Sequence, residues 1–373
     1  MKIGYDAKRI FHNTTGLGNY SRDLVRILST YYPENQYYLY NPKPAKVNRL
    51  AIKKNMLIKE PQSFISKKMP ALWRYKHIVK DIVADKIDIY HGLSGELPVG
   101  IENTSVKTVV TIHDLIFLRH PEWYKQIDRK IYYKKFLKTV KIADKIVAIS
   151  ENTKKDIVDF SDVNPKKIKV IYQGCHQVFK YPASEKLKEK VKNSYGLPDH
   201  FLLNVGTIEP RKNAFSIVKA IRNSHYNLVL VGRQTPYAAK IKKYIQKHQM
   251  SHRVFFLEGL KLEELAALYQ MADIFIYPSF YEGFGIPIIE ALYSLTPVIT
   301  NKHGVFPEAG GRFSYYLDDV SDTKEIKQLI DHVYHQPNRN RIHDAYEFVQ
   351  QFNDTMIAEN WMQVYKNLLK NKR

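Results

Sequence analysis

Cysteine is almost absent from this chain. Only Cys175, among 373 residues, carries a thiol. That excludes an internal disulfide and any metal cage built on cysteine. No run approaches the roughly 18 apolar residues that a membrane-spanning helix needs. Residues 1–5 pass directly into a strand pattern, so no signal peptide is expected, and a cytoplasmic location follows. No Asp-x-Asp triplet closes a strand, and no His, Cys and Asp group has metal-ligand spacing, so no metal is expected. Acidic residues are scarce as well: 37 Asp and Glu face 58 Lys and Arg, a net charge of +21. The imbalance points to an anionic partner: a membrane surface, a nucleic acid or a phosphorylated ligand. A nucleic-acid reader would set exposed aromatics on a sheet, or a groove-reading helix, beside its basic residues. No such module is visible, so nucleic acid is not expected.

What the chain does have is material for two packed cores: 44% hydrophobic residues, 27 tyrosines and a length suited to about two domains. Strand and helix patterns alternate in each half, as in doubly wound sheets. One stretch organises the second half, Tyr277-Pro278-Ser279-Phe280-Tyr281-Glu282-Gly283-Phe284-Gly285-Ile286-Pro287-Ile288-Ile289-Glu290. A short apolar run at 273–277 reads as a buried strand. Pro287 suits a first helical position, with the helix continuing through 288–295 and a further strand at 296–300. Gly283 and Gly285 allow a sharp turn and close approach of a ligand to the backbone. N–H groups at the helix start, with the helix dipole, form an anion site. A carboxylate disfavours phosphate, so Glu282 and Glu290 must face neutral hydroxyls, as on a sugar and a ribose. Earlier in the chain, a strand at 201–207 leads into Glu209-Pro210-Arg211-Lys212-Asn213. Two adjacent cations at a strand end call for an anion between them, and a diphosphate fits: Arg211 as a fork, Lys212 as a point charge.

Glu282 and Glu290, with seven residues between them in an E-G-F-G-I-P-x-x-E-A run, resemble the EX7E signature of retaining GT-B glycosyltransferases. Over nearly its whole length, and most strongly in its second half, the chain is similar to the group 4, glycogen-synthase-like family that includes mannosyltransferases. The resemblance implies an α/β, GT-B fold: two Rossmann-like doubly wound domains facing across a cleft. Residues 1–173 would form the acceptor side, with a C-terminal helix at 356–373 crossing back to it, and residues 174–355 the donor-binding domain. It further implies a nucleotide-sugar donor, a glycan or lipid-linked acceptor, and transfer with retained configuration and no metal. Glu282 and His113 are then the catalytic residues. The donor set is Arg211, Lys212, Gly283, Phe284, Gly285 and Glu290, with Gly16, Gly18, Gly206, Gly259 and Leu260. In the family the basic pair holds the diphosphate, the 259–260 turn packs on the base through its backbone, and the histidine of a His-Asp pair touches the donor sugar. Residues 4–8 and the Thr-Gly-Leu-Gly loop resemble mannosyltransferases of bacterial surface-polysaccharide assembly. That favours GDP-mannose, with a UDP-sugar as the alternative.

His113 ends a strand at 107–112. Read from the residues alone, it either reaches a substrate and changes charge near neutral pH or is structural. Asp114 would cap the following turn or orient the histidine. His91, at the end of a strand at 88–92, is expected to point toward a ligand, as loops at strand carboxyl ends do. Eleven Lys and Arg fall within 43–80, with Glu60 and Asp81 as the nearby acids, in a loop leading to an amphipathic helix. A second basic helix spans 123–141. Trp73, Leu72, Trp123, Ile127 and Phe136 accompany these charges, so an anionic membrane surface is a possible partner. Ordinary surface helices are the alternative. An epimerase or hydrolase on the same scaffold would turn over the nucleotide sugar without an acceptor.

Overall fold

The computed structural model describes residues 1–370. The chain divides into two compact units. Unit 1 comprises Met1–Gln173 and the chain from Asn353 on; unit 2 comprises Gly174–Phe352.

Among the described residues, unit 1 carries a seven-stranded sheet. Its strands are β1 Lys2–Asp6, β2 Gln36–Tyr40, β3 Met56–Lys59, β4 Ile89–Gly92, β5 Lys107–Ile112, β6 Lys145–Ala148 and β7 Ile168–Val170. They pair in parallel in the order 3-2-1-4-5-6-7. Both faces of such a sheet must be covered, and the strands alternate accordingly. Ile3, Tyr5, Tyr37 and Leu39 enter one core with the helices Gly16–Tyr31 and Asp354–Lys370. Tyr38, Tyr40, Tyr90 and Val110 enter a second core with Trp73, Ile78, Phe136 and Val140.

Unit 2 repeats the plan. Its strands are β8 Leu202–Val205, β9 Leu228–Val231, β10 Val254–Leu257, β11 Ile274–Tyr277, β12 Val298–Asn301 and β13 Tyr315–Leu317. They are again parallel, in the order 10-9-8-11-12-13. In both sheets the order reverses beside the first strand, between β1 and β4 and between β8 and β11. Crevices at the carboxyl ends of strands flanking such a reversal are where ligands bind in this class of fold.

Several expectations change. β3 and β13 were not legible as strands; each lies at a sheet edge, β3 exposes Leu57 and Ile58, and β13 has three residues. The basic helix begins at Gln126 rather than 123, and Trp123 closes the short turn before it, stacked on His120. Trp73 and Phe136 are buried, with the Trp73 indole N–H donating to Asp81 at 2.6 Å, so neither reaches a surface. His91 points into the core. Its Nδ1 meets the Tyr365 hydroxyl and its Nε2 the Thr111 hydroxyl, each at 2.8 Å, and Trp361 lies over the ring. The C-terminal helix starts at Asp354, two residues before the expected position, and positions 371–373 of that expectation lie outside the described residues. No helix among the described residues is long and apolar enough to cross a membrane.

Candidate functional site

The loops after β8 and β11 meet at the reversal point of the unit 2 sheet. The first carries Gly206, Arg211 and Lys212; the second carries Ser279, Glu282, Gly283 and Gly285. The two basic residues sit in a short turn, Pro210–Lys212, ended by Asn213 in the left-handed region at φ 56°. The apolar strand β11 ends at Tyr277, and the helix Ile286–Tyr293 follows the loop, starting one residue before Pro287.

Glu282 is the hub. Its Oε1 accepts from Lys212 Nζ at 2.6 Å, from the Ser279 hydroxyl at 2.6 Å and from the Tyr277 hydroxyl at 3.1 Å. Its Oε2 lies 2.9 Å from a terminal nitrogen of Arg211. Burial pushes the Glu282 pKa up, but Lys212 and Arg211 outweigh it and hold the carboxyl at about 2. Burial lowers the Lys212 pKa, with Glu282 opposing. The basic pair was expected to face a diphosphate. Within the chain it is paired with carboxylates, Glu282 for both and Glu209 for Arg211 at 2.9 Å. The pairing is incomplete. Arg211 spends one further N–H on the Tyr281 carbonyl and Lys212 one on the Tyr277 hydroxyl. By inventory this leaves two N–H groups on Arg211 and one on Lys212. Tyr277, Ser279 and Glu209 had no role assigned from sequence; a hydroxyl at a strand end looks like ordinary core or turn.

Glu290 lies in the second turn of the helix, half-buried, and accepts from the Tyr269 hydroxyl at 2.9 Å. Burial dominates there and raises its pKa to about 7, against a smaller downward pull from Tyr269. The two glutamates therefore differ: at neutral pH Glu282 is ionised and Glu290 is poised at its midpoint.

Gly285 has φ 123° and precedes the helix, and a Cβ there would press on Ile288 and Ala309. Gly206 packs its backbone against Gly232 so closely that a Cβ on Gly232 would fall 2.0 Å from the Gly206 carbonyl oxygen. The Phe284 ring is buried against Phe352, so only its backbone can serve a ligand. Gly259 and Leu260 follow β10, with Gly259 exposed at φ 77°.

His113, Gly16 and Gly18 belong to unit 1. Both ring nitrogens of His113 are occupied. Nε2 is 2.8 Å from the Leu93 carbonyl, which can only accept, and Nδ1 is 3.2 Å from the Gln173 amide nitrogen. Burial lowers its pKa to about 4, so the ring is neutral at pH 7 and does not change charge near neutrality as expected. Asp114 accepts from the Ile116 N–H at 3.2 Å. Gly16 and Gly18 sit in the first turn of their helix, not in a loop ahead of it. Gly18 is required because a Cβ would meet the Asn13 carbonyl at 2.1 Å.

The model of glycosyl transferases group 1 matches residues 185–347, and that of glycosyltransferase family 4 matches residues 23–176. The chain is 33% identical to the O-antigen chain mannosyltransferase RfbU of Salmonella typhimurium over 231 residues, covering 60% of this chain and 61% of that protein. It is 29% identical to the serotype-specific mannosyltransferase WbdA of Escherichia coli over 68% of this chain but only 32% of that protein. These first two relatives are thus matched over less than two thirds of their own length. The O-antigen chain mannosyltransferase B of Escherichia coli is 25% identical over 89% of this chain and 90% of that protein. Among solved structures, the Anabaena protein Alr3699/HepE, in complex with UDP and glucose, superposes with a TM-score of 0.76 at 17% identity, covering 98% of this chain and all of that one. The architecture is therefore GT-B.

Proposed function

This chain belongs to the glycosyltransferases of group 1 and family 4, and we propose that it moves mannose from GDP-mannose to a glycan or lipid-linked acceptor, with retention, in assembly of a cell-surface polysaccharide. The observation that carries the reading is the meeting of Arg211, Lys212 and Glu282 at the reversal point of the unit 2 sheet, beside the helix start that follows Gly285. In this reading the diphosphate takes the unspent N–H groups of the basic pair. Glu282 accepts hydroxyls of the sugar, and Glu290 those of the ribose. The bond from the anomeric carbon to the diphosphate breaks. An acceptor oxygen bonds that carbon on the same face, and its proton goes to the departing phosphate. Mannose follows the activity of the relatives; a UDP-sugar is the alternative.

A thermal-shift panel of nucleotide sugars tests the reading. A donor at 100 times its Kd adds about 2.7 kcal/mol to stability; no shift with any nucleotide sugar would sink it. Turnover without acceptor would point to a hydrolase or epimerase. Arg211→Ala or Lys212→Ala should weaken binding of the nucleoside diphosphate by roughly 10- to 150-fold, the loss of one charge-assisted contact of about 1.5–3 kcal/mol. Unchanged affinity in both removes the pair from the site. In this reading the unspent N–H groups of the basic pair and the helix start meet the leaving charge without a metal. Turnover should therefore survive EDTA, with no gain from Mg²⁺ or Mn²⁺; loss in EDTA and rescue by a divalent ion would favour an inverting, metal-using reaction.

A seat on an anionic leaflet fits the same reading. Ile127 is 74% exposed beside Lys125 and Lys130, and Phe64 is 71% exposed beside Lys67 and Lys68. Each cation near such a surface contributes about 1 kcal/mol. Binding to phosphatidylglycerol vesicles should fall with salt and drop on Ile127→Asp with Ile131→Asp. Protein left in the supernatant at low salt rules the membrane out.

A further inference from the structure

The two sheets share one strand order, and an arginine–carboxylate network stands at the reversal point of each. In unit 1, Asp6 is the last residue of β1 and Glu96 lies in the loop after β4. Arg74 joins them from outside the sheet, its Nε 2.9 and 3.0 Å from the two Asp6 oxygens and its terminal nitrogens on Asp6 and Glu96. Asp6 is 3% exposed. Burial pushes Glu96 up, but Arg74 and Lys135 hold its carboxyl at about 2. This network floors a cavity of about 160 Å³, walled by Tyr75 and rimmed by Lys134, Lys135 and Lys138. Lys135 is paired with Glu96 at 3.1 Å, while Lys138 lies 5.6 Å above the Tyr75 ring.

The charges that line the cavity are four cations, Arg74, Lys134, Lys135 and Lys138, against two carboxylates, Asp6 and Glu96, a surplus of two positive charges. A phosphate monoester carries about −1.5 to −2 at pH 7. Both Asp6 oxygens are taken up by Arg74 and the Lys8 N–H, while Glu96, with one contact to Arg74 and one to Lys135, retains lone pairs, which suits hydroxyl donors. Tyr75 is exposed and offers a flat, apolar face. Resting on the glycosyltransferase reading above, we propose that this pocket is the acceptor subsite, and that it takes a sugar bearing a phosphate or diphosphate. The phosphate meets Lys134 and Lys138, and the hydroxyls meet Glu96, which Asp6 and Arg74 hold in place.

The test uses the full chain saturated with GDP or UDP, whichever gives the larger thermal shift, so that the donor site is filled. Mannose 1-phosphate is then titrated by calorimetry, beside mannose and inorganic phosphate. Mannose 1-phosphate should bind more tightly than either fragment. Lys134→Gln with Lys138→Gln, both on an exposed helix face, should weaken it at least about tenfold, the loss of one or more charge-assisted contacts, with nucleotide affinity unchanged. Glu96→Gln should narrow its preference over inorganic phosphate. A polyprenyl-linked mannosyl phosphate in neutral vesicles that binds more tightly, with the same sensitivity to the lysine pair, assigns the phosphate to a lipid carrier; equal binding assigns it to a soluble sugar phosphate. If nucleotide binds but the lysine pair leaves mannose 1-phosphate affinity intact, the pocket proposal is overturned. It is also overturned if the pair abolishes only binding to phosphatidylglycerol vesicles. Absence of nucleotide binding would instead strike the proposed function.

Discussion

Glu282→Ala should lower the melting temperature of unit 2 by roughly 6–20 °C and cut kcat by about 10²–10³, while leaving nucleoside diphosphate affinity intact or improved. The stability term comes from the hub geometry. Removing the carboxylate strands Lys212 and leaves Arg211 with Glu209 alone, in a site where each basic side chain is mostly covered. Breaking a buried pair from one side costs about 3–5 kcal/mol, because a charge is left without compensation. For a unit of this size each kcal/mol moves the melting temperature by about 2–4 °C. The rate term assumes that Glu282 holds the sugar at the reacting centre, where loss of one placed polar group costs about 10²–10³. The affinity term separates this account from simple damage. Lys212 then has no carboxylate of the site left, and Arg211 only Glu209, so in this reading added nucleotide should stabilise the variant more than the parent. Lys212→Met combined with Glu282→Gln should recover part of the stability, as a double-mutant cycle would show. A fall in nucleotide affinity parallel to kcat would mean that Glu282 merely scaffolds the loop.

Glu290 should give the protein a stability that declines with pH across the mildly acidic range. The folded-state pKa is raised from 4.5 to about 7 by burial. Between those values the folded chain holds a proton that the unfolded chain has released. Stability therefore falls as pH rises from 4.5 to 7 and is level above 7, a total of about 3 kcal/mol. Glu282 acts in the opposite sense and in another window: its pKa is lowered from 4.5 to about 2, so its contribution is present above 4.5 and is lost on going down toward 2. Glu290→Gln, neutral and of equal size, should remove the decline and be more stable than the parent at pH 8. Denaturant midpoints of both proteins at pH 5, 6, 7 and 8 would show it; parallel curves would mean that Glu290 titrates normally. If ribose hydroxyls are its ligands, the ionised form is the competent one. Nucleotide affinity should then rise about tenfold from pH 6 to pH 8, and Glu290→Gln should abolish that rise.

How much of this could be read from the chain depends on how local each feature is. β8 and β11 are short apolar runs that end in loops dense with Gly, Pro and charge, so Arg211, Lys212, Glu282 and Glu290 stand out individually. Their direct ion pairing does not. It depends on β8 lying next to β11 across an intervening β9 and β10, and no local pattern states that adjacency. The neutrality of His113 was hidden for the same reason: its partners, Leu93 and Gln173, come from distant loops, and burial, not the residue type, sets its charge. Lysines surround Trp73 in the sequence and suggest a surface anchor, yet its indole finds Asp81, eight residues on. β3 was missed because an edge strand that exposes Leu57 and Ile58 beside lysines has neither alternation nor a continuous apolar run.

The return of Asp354–Lys370 to unit 1 gives the two units different histories on the ribosome. Gly174–Phe352 holds all of its own strands and can close its core once it has emerged. Residues 1–173 are made before unit 2, yet they lack Trp361, Met362 and Tyr365 until the chain has been read past it. Until then the Nδ1 of His91 has no Tyr365 hydroxyl to meet, and the Tyr5 ring has an open side. Of the two units, the one translated first is therefore the one sealed last, and a nascent chain stalled anywhere within unit 2 carries a first sheet with all its strands but with one face not fully covered.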